Sequence, residues 1–379
     1  MKKLCLDNEY LTEFRTDVIK CDRNKDGTFS VVLKDSYFYP ESSGQTGDHG
    51  FIGDTNVIDV VIIDDEIVHV TDKAIEGTNV NCTIDWKRRF DHMQQHTAQH
   101  MLSGIIEDKY GIKTVSFHMG EEDSSIETDV RTIMEDRIDE IETLVNDAIF
   151  KNIEVKKYFT EEEVEGVRKK VNIKGPKRVI AIEGVDVSYC SGTHVNNTGE
   201  IGIFKITGID KVRKNIRLHF KCGYRALNDY RKNLKITNAL KKILTRDEDS
   251  IIVGVETLIE REKKLQKRIK GYRLRELESF AGSIEEKIYK NELEGYEDEE
   301  IRYIQSLLID RGIESIIRNR DTNRVFITVN EDRNDEFKAL IDEMKYKFGI
   351  KGGGSKGRFQ LMLNGQGEEI WYRFVDLLE

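Results

Sequence analysis

The stretch His92–Leu102, with the sequence HMQQHTAQHML, spaces three histidines four residues apart in a chain that has only eight. Apolar residues recur around them at helical spacing, which predicts a helix over residues 91–110. Side chains four residues apart lie on the same face of a helix, so His96 and His100 would present two imidazoles side by side. This arrangement is a common way to hold a divalent metal ion. It does not fit a metalloprotease helix, because Thr97 stands where that motif requires glutamate.

A second pair of metal-binding residue types lies far downstream. The segment YCSGTHV, residues 189–195, follows an apolar run and separates Cys190 from His194 by three residues, one of them glycine. Neutral imidazole and thiolate are the ligands that tetrahedral Zn(II) prefers. We therefore predict one zinc site, formed by His96, His100, Cys190 and His194. His92, one helical turn before the first of these ligands, is expected to support the site or to lie at the surface.

The composition predicts a globular protein with two or three domains. The chain has 379 residues, which exceeds an average domain, and its 38% hydrophobic residues suffice for sizeable cores. We find no apolar run of about 18 residues and no signal-peptide pattern of a basic segment followed by an apolar one. We therefore expect no membrane contact and a cytoplasmic location. The five cysteines are odd in number and widely scattered, which favours reduced thiols over a disulfide framework.

Hydrophobic periodicity predicts an α+β protein with four regions. Residues 1–89 alternate short β-branched and aromatic runs with turn residues, which indicates a small β-barrel-like module. Residues 90–224 mix helical and strand patterns and form the predicted zinc-containing α+β core. Residues 225–290 repeat leucine and tyrosine near helical spacing among dense charges, which predicts a long helical arm. Residues 291–379 alternate helix and strand, which predicts a small α/β domain.

The charge distribution is uneven. The net charge of -10 argues against a polyanion as the partner of the whole surface. Residues 166–225, however, contain 13 Lys and Arg against 4 Asp and Glu, a net charge of +9. A local basic concentration of this kind favours binding to a nucleic acid, and an ordinary solvated surface explains it equally well.

Five segments of the chain match motifs that occur together in one family. They are DWKRRFDHMQQHTAQHMLSGI (85–105), CSGTHV (190–195), SYFYPESSGQTGDHGFI (36–52), VSFHMGEEDSSIETDV (115–130) and KGGGSKGRFQLMLNG (351–365). The first two resemble the paired zinc motifs of the editing domain of alanyl-tRNA synthetase and of the free-standing, AlaX-type alanyl-tRNA editing proteins. The next two resemble the glycine-rich N-terminal motif and a strand-turn segment of that editing core. The last is similar to the DHH-associated module at the end of alanyl-tRNA synthetase, which implies the long-form AlaX architecture.

The resemblance implies a zinc-dependent aminoacyl-tRNA deacylase. We see no ATP-binding synthetase domain, so the family implies hydrolysis in trans of alanine tRNA mischarged with serine and, as a further substrate, glycine. No side chain is assigned as the catalytic residue, because zinc lowers the pKa of a bound water towards about 7 and makes that water the expected nucleophile. Four protein ligands are also the arrangement of a closed, structural zinc site. A tRNA-binding protein with a purely structural zinc and a deacylase of the threonyl-tRNA type therefore remain as alternatives.

The resemblance also implies substrate contacts in the N-terminal motif. Ser36 stands where the family commonly has threonine, and its hydroxyl would bond the serine side chain of the substrate. Gln45 would add a second polar contact, and Gly44 would allow close backbone approach. Ser42 and Ser43 replace the other two glycines of the family's triplet. A site that hydrogen-bonds a serine hydroxyl can reject the alanyl ester by up to about 10⁴- to 10⁵-fold.

The glycine-rich tail motif is expected to contact tRNA. Its glycines would let backbone amides approach phosphate or ribose, and its basic side chains would neutralise charge. The predicted contact residues are Gly352, Gly353, Gly354, Lys356 and Arg358. A flexible loop is the alternative interpretation, and the spacing does not match an ATP-binding P-loop. The helical arm or this terminal module would also serve homodimerisation, because a long helical pair needs a partner for its apolar stripe.

Overall fold

The computed structural model describes residues 3–168, 175–363 and 367–376. It divides the chain into two compact units, residues 1–239 and residues 240–379. Seven α-helices and eighteen strands lie within the described ranges, which confirms the α+β class. None of those helices combines the length and the hydrophobicity needed to cross a membrane.

The N-terminal region folds into a closed six-stranded barrel, which confirms the predicted barrel-like module. Its strands are β1 (Glu13–Arg23), β2 (Phe29–Leu33), β3 (Gly50–Ile52), β4 (Thr55–Ile63), β5 (Glu66–Thr71) and β6 (Asn79–Ile84). They close in the order β1-β2-β5-β4-β3-β6 through antiparallel pairs. Val80, Cys82 and Ile84 of β6 point inward and alternate with exposed residues, the two-residue period of a half-buried strand. The long connection from β2 to β3 carries the glycine-rich N-terminal motif.

The histidine helix, α1 (Trp86–Tyr110), is the central helix of the first unit. It begins at Trp86 rather than at the predicted Asp91, because the Asp85 carboxylate accepts a hydrogen bond from the backbone N–H of Arg88 and caps the helix. Gly111 ends it in a left-handed conformation with φ of 67°. Most of its side chains are buried, including polar ones, so the surrounding residues must satisfy their hydrogen bonds.

The rest of the first unit wraps α1 with one helix and two small sheets. These elements are β7 (Thr114–Met119), β8 (Ser124–Thr128), α2 (Glu135–Phe150), β9 (Val155–Thr160), β10 (Lys177–Ile182), β11 (Asp186–Tyr189), β12 (Phe204–Val212) and β13 (Asn215–Cys222). One sheet has the order β12-β13-β8-β7 and the other β11-β10-β9, with antiparallel pairing. Buried side chains of α1, α2 and both sheets share one hydrophobic core, among them Met93, Met101, Ile180 and Phe220. This core holds β11 and the loop after it next to α1.

Two long helices occupy the region of the predicted arm, α3 (Gly223–Leu244) and α4 (Ile251–Gly282). The division between the two units falls within α3, after Ala239. Large apolar side chains remain exposed on both helices, such as Leu234 on α3 and Leu258 on α4. Their periodicity therefore predicts the helices correctly, while little of each helix is buried.

The second unit contains a five-stranded sheet covered by helices. Its remaining elements are β14 (Ile288–Leu293), α5 (Asp298–Asp310), β15 (Glu314–Asn319), β16 (Arg324–Thr328), α6 (Asn334–Phe348), β17 (Lys351–Ser355), β18 (Arg358–Met362) and α7 (Gly367–Asp376). The strand order is β14-β15-β16-β18-β17, with β14 parallel to β15 and the other pairs antiparallel. The glycine-rich tail motif thus forms an edge strand and a hairpin, not the loop of the alternative interpretation.

Candidate metal centre

Four candidate ligands converge beside α1 in the first unit. They are His96 and His100 of α1 and Cys190 and His194 of the loop after β11, and one ligand atom of each lies within 4.8 Å of all the others. Cys190 Sγ is 3.5 Å from His96 Nε2 and 3.4 Å from His194 Nε2. Ligands about 2.0–2.3 Å from a tetrahedral metal ion lie roughly 3.3–3.7 Å apart. The donor chemistry and the spacing therefore fit a single tetrahedral ion.

Two of the histidines are oriented by oxygen acceptors on their outer nitrogens. His100 Nδ1 lies 2.8 Å from an Asp186 carboxylate oxygen, and His96 Nδ1 lies 2.9 Å from the Gln45 amide oxygen. Both oxygens accept, so each Nδ1 carries a proton and each Nε2 is the nitrogen that faces the cluster. Asp186 is itself held by Arg168, whose Nε lies 2.7 Å from the second carboxylate oxygen.

The third histidine is oriented by a threonine hydroxyl. Thr97 Oγ1 donates to the Met93 carbonyl at 2.8 Å, so toward His194 Nδ1, 3.1 Å away, it can only accept. His194 Nδ1 therefore carries a proton, and His194 Nε2 faces Cys190. All three imidazoles thus present the nitrogen that a shared ion requires.

The charges of the cluster favour a thiolate. Burial alone would raise the pKa of Cys190, but the neighbouring imidazoles, His96 first, lower this pKa well below that of an ordinary thiol. Burial lowers the pKa of His194 well below its usual value. Burial also opposes the charged form of His100, yet Cys190 and Asp186 outweigh it and raise the pKa of His100 to about 9. A metal ion that binds the cluster at neutral pH must therefore displace a proton from His100.

The loop after β11 has a glycine because the His96 ring lies against it. A Cβ atom at Gly192 would lie 2.1 Å from His96 Cε1 and 3.1 Å from the Gln45 amide oxygen, which leaves no room for a side chain. The backbone N–H of Gly192 also donates to Cys190 Sγ at 3.3 Å. The CSGTH spacing therefore positions Cys190 and His194 and leaves room for the His96 ring.

Glu9, which the sequence interpretation did not single out, fixes the same loop from the N-terminal segment. This buried carboxylate accepts from the His194 backbone N–H at 3.1 Å and from Arg178 Nη2 at 2.5 Å. Arg178 in turn donates to the Gly192 carbonyl at 2.7 Å. Asp186 and Thr97 were missed in the same way. The sequence offered one signal that could have identified Arg178 and Asp186, because each is a charged residue in or beside an apolar strand.

The predicted substrate residues Gly44 and Gln45 lie beside the cluster. Gly44 has φ of 77°, and a Cβ atom there would lie 2.8 Å from the Phe117 carbonyl oxygen, so this glycine permits a close approach to β7. Gln45 is fully buried, and besides His96 it bonds both the side chain and the backbone N–H of Thr193. Its amide therefore holds the candidate ligand His96 and the loop after β11 together.

The predicted substrate residue Ser36 is bonded inside the barrel. The Val31 carbonyl, 3.0 Å from His69 Nδ1, fixes the proton there, so Ser36 donates its hydroxyl hydrogen to His69 Nε2 at 2.7 Å. Burial lowers the pKa of His69 to about 4, which keeps the ring neutral. Ser36 is not among the described residues that line the cavity next to the cluster. Toward any substrate hydroxyl it can act only as an acceptor.

A cavity of about 530 Å³ opens on one side of the cluster. Three of the four candidate ligands reach its wall, which also includes Ser43, Phe117, Arg168, Lys177, Arg178 and Tyr189. Its volume lies within the range of about 300–1,000 Å³ that is typical of small-molecule sites. Arg168 and Arg178 on this wall are paired with Asp186 and Glu9, so Lys177 is the basic wall residue with no carboxylate partner among the described residues. Lys169, Lys170 and Lys174, which contribute to the charge excess found in the sequence, lie outside the described residues.

The predicted tRNA contacts lie on β17 and its hairpin in the second unit. Cβ atoms at Gly352 and Gly354 would lie 2.2 Å and 1.9 Å from carbonyl oxygens of β18, so these glycines are needed for the strand pairing itself. A Cβ atom at Gly353 would meet only the Lys345 ammonium nitrogen, at 3.3 Å. Lys356 occupies the turn with φ of 55°, and it and Arg358 are exposed. The structure therefore brings these residues together on one exposed edge.

We expect Asp186→Asn to weaken metal binding by about 10- to 100-fold, the usual cost of losing the acceptor behind a ligating histidine. The amide can present its NH₂ group to His100 Nδ1 and no longer fixes the proton there. Competition with a chelator would measure the change. Asp210→Asn is the matched control, because Asp210 bonds His219, a histidine outside the cluster, at 3.0 Å. Equal effects of the two substitutions would contradict the assigned role of Asp186.

Comparison with known proteins gives consistent matches. Residues 178–218 match the family described as threonyl and alanyl tRNA synthetase second additional domain. The chain is 36% identical to the alanyl-tRNA editing protein Aarsd1 of Danio rerio, over 69% of this chain and 68% of that protein. It is 28% identical to the alanyl-tRNA editing protein AlaX-L of Pyrococcus horikoshii, over 96% of this chain and 94% of that protein. It is also 28% identical to an alanine–tRNA ligase of Thermotoga, over 87% of this chain but 41% of the ligase.

Proposed function

The chain belongs to the AlaX-type family of alanyl-tRNA editing proteins, and from that membership we propose that it hydrolyses, in trans, the ester bond of alanine tRNA carrying a wrong amino acid. The observation that supports this most directly is the set of four convergent ligands, three of which reach the wall of a cavity that also includes Lys177. An ester at the end of a polyanion needs both a polarising centre and a cationic surround. The relatives named for alanyl-tRNA editing do not favour the threonyl-tRNA alternative.

We propose zinc as the ion. Three imidazole nitrogens and one thiolate are a donor set that zinc prefers, and the spacing of these atoms suits its tetrahedral geometry. Zinc, when bound, supplies Lewis-acid polarisation of a carbonyl or of water. A purely structural zinc is less consistent with ligands that reach a cavity wall, because structural sites are closed.

The protein's own side chains keep this centre in one arrangement. Asp186, Gln45 and Thr97 hold the protons on the outer imidazole nitrogens, while Glu9 and Arg178 hold the ligand loop. These groups are already ordered in hydrogen bonds before substrate arrives, so little reorganisation is needed during the reaction. Phe117 packs its ring 5.3 Å from the His96 ring and shields the cluster on the cavity side.

Hydrolysis of seryl-, glycyl- and alanyl-tRNA of the alanine type would test the activity and its selectivity. We expect seryl-tRNA to be hydrolysed far faster than alanyl-tRNA. If Ser36 accepts from the substrate hydroxyl as proposed, Ser36→Ala should lower kcat/KM for seryl-tRNA by about 5- to 150-fold, which corresponds to roughly 1–3 kcal/mol for an unpaired polar group. Glycyl-tRNA, which lacks that hydroxyl, should be hydrolysed almost as before.

Ser36→Thr is the matched control for this substitution, because it keeps the hydroxyl that bonds His69. If Ser36→Ala lowers kcat/KM equally for seryl- and glycyl-tRNA, Ser36 supports the barrel through His69 and does not recognise the serine side chain. Failure of the unaltered protein to release serine from tRNA would contradict the proposed function itself.

We further propose that the exposed edge at β17 contacts the tRNA backbone. Arg358→Glu should raise the tRNA concentration needed for half-maximal rate by about 10-fold and leave kcat unchanged, because one phosphate contact is lost away from the reacting ester. The difference from the unaltered protein should shrink as salt is added. Arg320→Glu, another exposed arginine of the second unit that follows β15, should have little effect. An equal effect of both substitutions would point to a general charge effect.

Homodimerisation remains a proposal. It is supported by the exposed apolar side chains on α3 and α4, such as Leu234, Ile243 and Leu258.

A further inference from the structure

A second cavity, of about 480 Å³, lies at the N-terminal end of α1. No described residue lines both this cavity and the one beside the metal cluster. Three aromatic rings form part of its wall, Trp86 and Phe90 from α1 and Tyr224 from the start of α3. The Trp86 and Phe90 rings pack 5.2 Å apart, whereas Tyr224 is 65% exposed. An exposed ring beside two fixed rings provides a surface on which a flat molecule can stack.

His92 lies on the wall of this cavity with an unsatisfied ring nitrogen. The residue is 2% exposed, and its Nδ1 is one of only two buried side-chain polar atoms without a hydrogen-bond partner among the described residues. Burial, followed by the charges of Arg88 and Arg225, lowers the pKa of His92 to about 2, so the ring is neutral and one nitrogen must be an acceptor. A buried polar atom without a partner is unfavourable, and a turn of the ring that brings this nitrogen to a donor on a ligand would relieve this.

The charges around the cavity favour an uncharged ligand ring. The wall includes three basic and three acidic residues, Lys87, Arg88, Arg225, Asp85, Asp91 and Glu121. Arg225 is already bound to Asp91 through contacts of 2.6 and 2.9 Å and to the Gly120 carbonyl at 2.7 Å. The two other basic residues, Lys87 and Arg88, are matched in number by Asp85 and Glu121, so the wall carries no net charge. The free acceptors instead suit a ring that carries an amino group, such as cytosine or adenine, whose amine can donate to a carboxylate or an imidazole.

On this basis, and resting on the proposed function, we propose that the cavity binds one of the two cytosine bases that precede the terminal adenosine of the tRNA substrate. Single-stranded RNA bases are commonly bound by stacking on aromatic side chains together with hydrogen bonds to their edges. The terminal adenosine carries the ester and has to reach the metal cluster, which leaves the cytosines for a neighbouring site. His92 precedes the ligand His96 by one helical turn, about 6 Å along the axis. Successive turns of α1 therefore contribute a residue to the cavity and to the cluster.

The test is the affinity of the full-length protein for uncharged alanine tRNA, intact or lacking its terminal C-C-A. Tyr224→Ala removes the exposed stacking ring, and Tyr230→Ala is the matched control, because Tyr230 lies on the same helix, is 64% exposed and does not line the cavity. We expect Tyr224→Ala to raise Kd for the intact tRNA by about 5- to 150-fold, the range for loss of one base stack. The tRNA without C-C-A should bind both variants and the unaltered protein equally well.

Removal of a single base identifies the nucleotide. With an abasic residue at the cytidine that occupies the cavity, Tyr224→Ala should no longer change Kd, whereas an abasic residue at the other cytidine should leave the effect intact. Unchanged affinity of Tyr224→Ala for intact tRNA, or an equal loss with the tRNA that lacks C-C-A, would overturn the proposal. Because uncharged tRNA is used, this result does not depend on whether the protein hydrolyses seryl-tRNA, which is measured separately.

Discussion

Replacing Cys190 with alanine is expected to remove the metal ion and to slow the release of serine from tRNA by about 10³-fold. Lewis-acid activation contributes several kcal/mol, and each 1.4 kcal/mol corresponds to about a tenfold change in rate. Cys190 Sγ lies at the centre of the cluster, 3.4–3.5 Å from two imidazole nitrogens, so its loss leaves an incomplete ligand set. Metal content per chain and single-turnover deacylation would be measured on the same preparations. His96→Ala should likewise lose the metal ion and release serine more slowly.

The matched control is Cys21→Ala, because Cys21 is also partly buried but lies in the barrel strand β1. This variant should keep both metal and activity. A Cys190→Ala protein that is folded, free of metal and fully active would refute a metal-dependent reaction. Loss of folding with normal activity in the remaining folded fraction would instead favour a purely structural ion.

Replacing Arg89 with methionine is expected to destabilise the first unit by about 3–5 kcal/mol, the usual cost of leaving a buried charge without its partner. Arg89 is 0% exposed and joins α1 to the barrel, because it pairs with Asp48 and donates to the Tyr37 and Glu9 carbonyls at 2.8 Å. Asp48 would remain buried with only the Tyr39 backbone N–H among these partners. For a unit of this size each kcal/mol lowers the unfolding temperature by about 2–4 °C, so we expect a fall of roughly 6–20 °C.

The neighbouring Arg88→Met provides the control, because the Arg88 side chain is only partly buried and donates to Thr46 and the Gly47 carbonyl. Its effect on the unfolding temperature should be several-fold smaller. Thermal unfolding followed by circular dichroism would compare the two variants. A similar small loss for both would mean that the Arg89–Asp48 pair contributes little beyond an ordinary surface hydrogen bond.

Local patterns predicted the elements around the site well. The histidine spacing placed His96 and His100 on one face of a helix, and the short CSGTH segment paired Cys190 with His194, so each half of the cluster was readable from nearby residues. The start of α1 was predicted five residues too late, at Asp91 instead of Trp86, since the helix cap at Asp85 was not recognised. The barrel was likewise predictable, because short β-branched and aromatic runs are separated by turn residues.

The hydrogen bonds around the metal centre could not be predicted from local patterns. Glu9 is 185 residues from the His194 backbone that it holds, and Asp186 is 86 residues from His100. Gln45 was assigned to the substrate, yet its amide bonds His96 and Thr193. Such contacts depend on three-dimensional proximity, and a single sequence contains no periodicity that reports it.

The sequence by itself determined the α+β class and the identity of the four candidate ligands, which follow from local spacing and residue chemistry. The resemblance of its motifs indicated the family to which the chain belongs. Only the tertiary structure decided that the two ligand pairs meet, that each imidazole turns Nε2 inward and that the tail glycines form an edge strand. It also left His92, which the sequence assigned to a supporting or surface position, buried with an unsatisfied nitrogen. The physical reason is that burial and hydrogen-bond partners are set by packing between segments far apart in the chain, whereas propensity and periodicity act within a few residues.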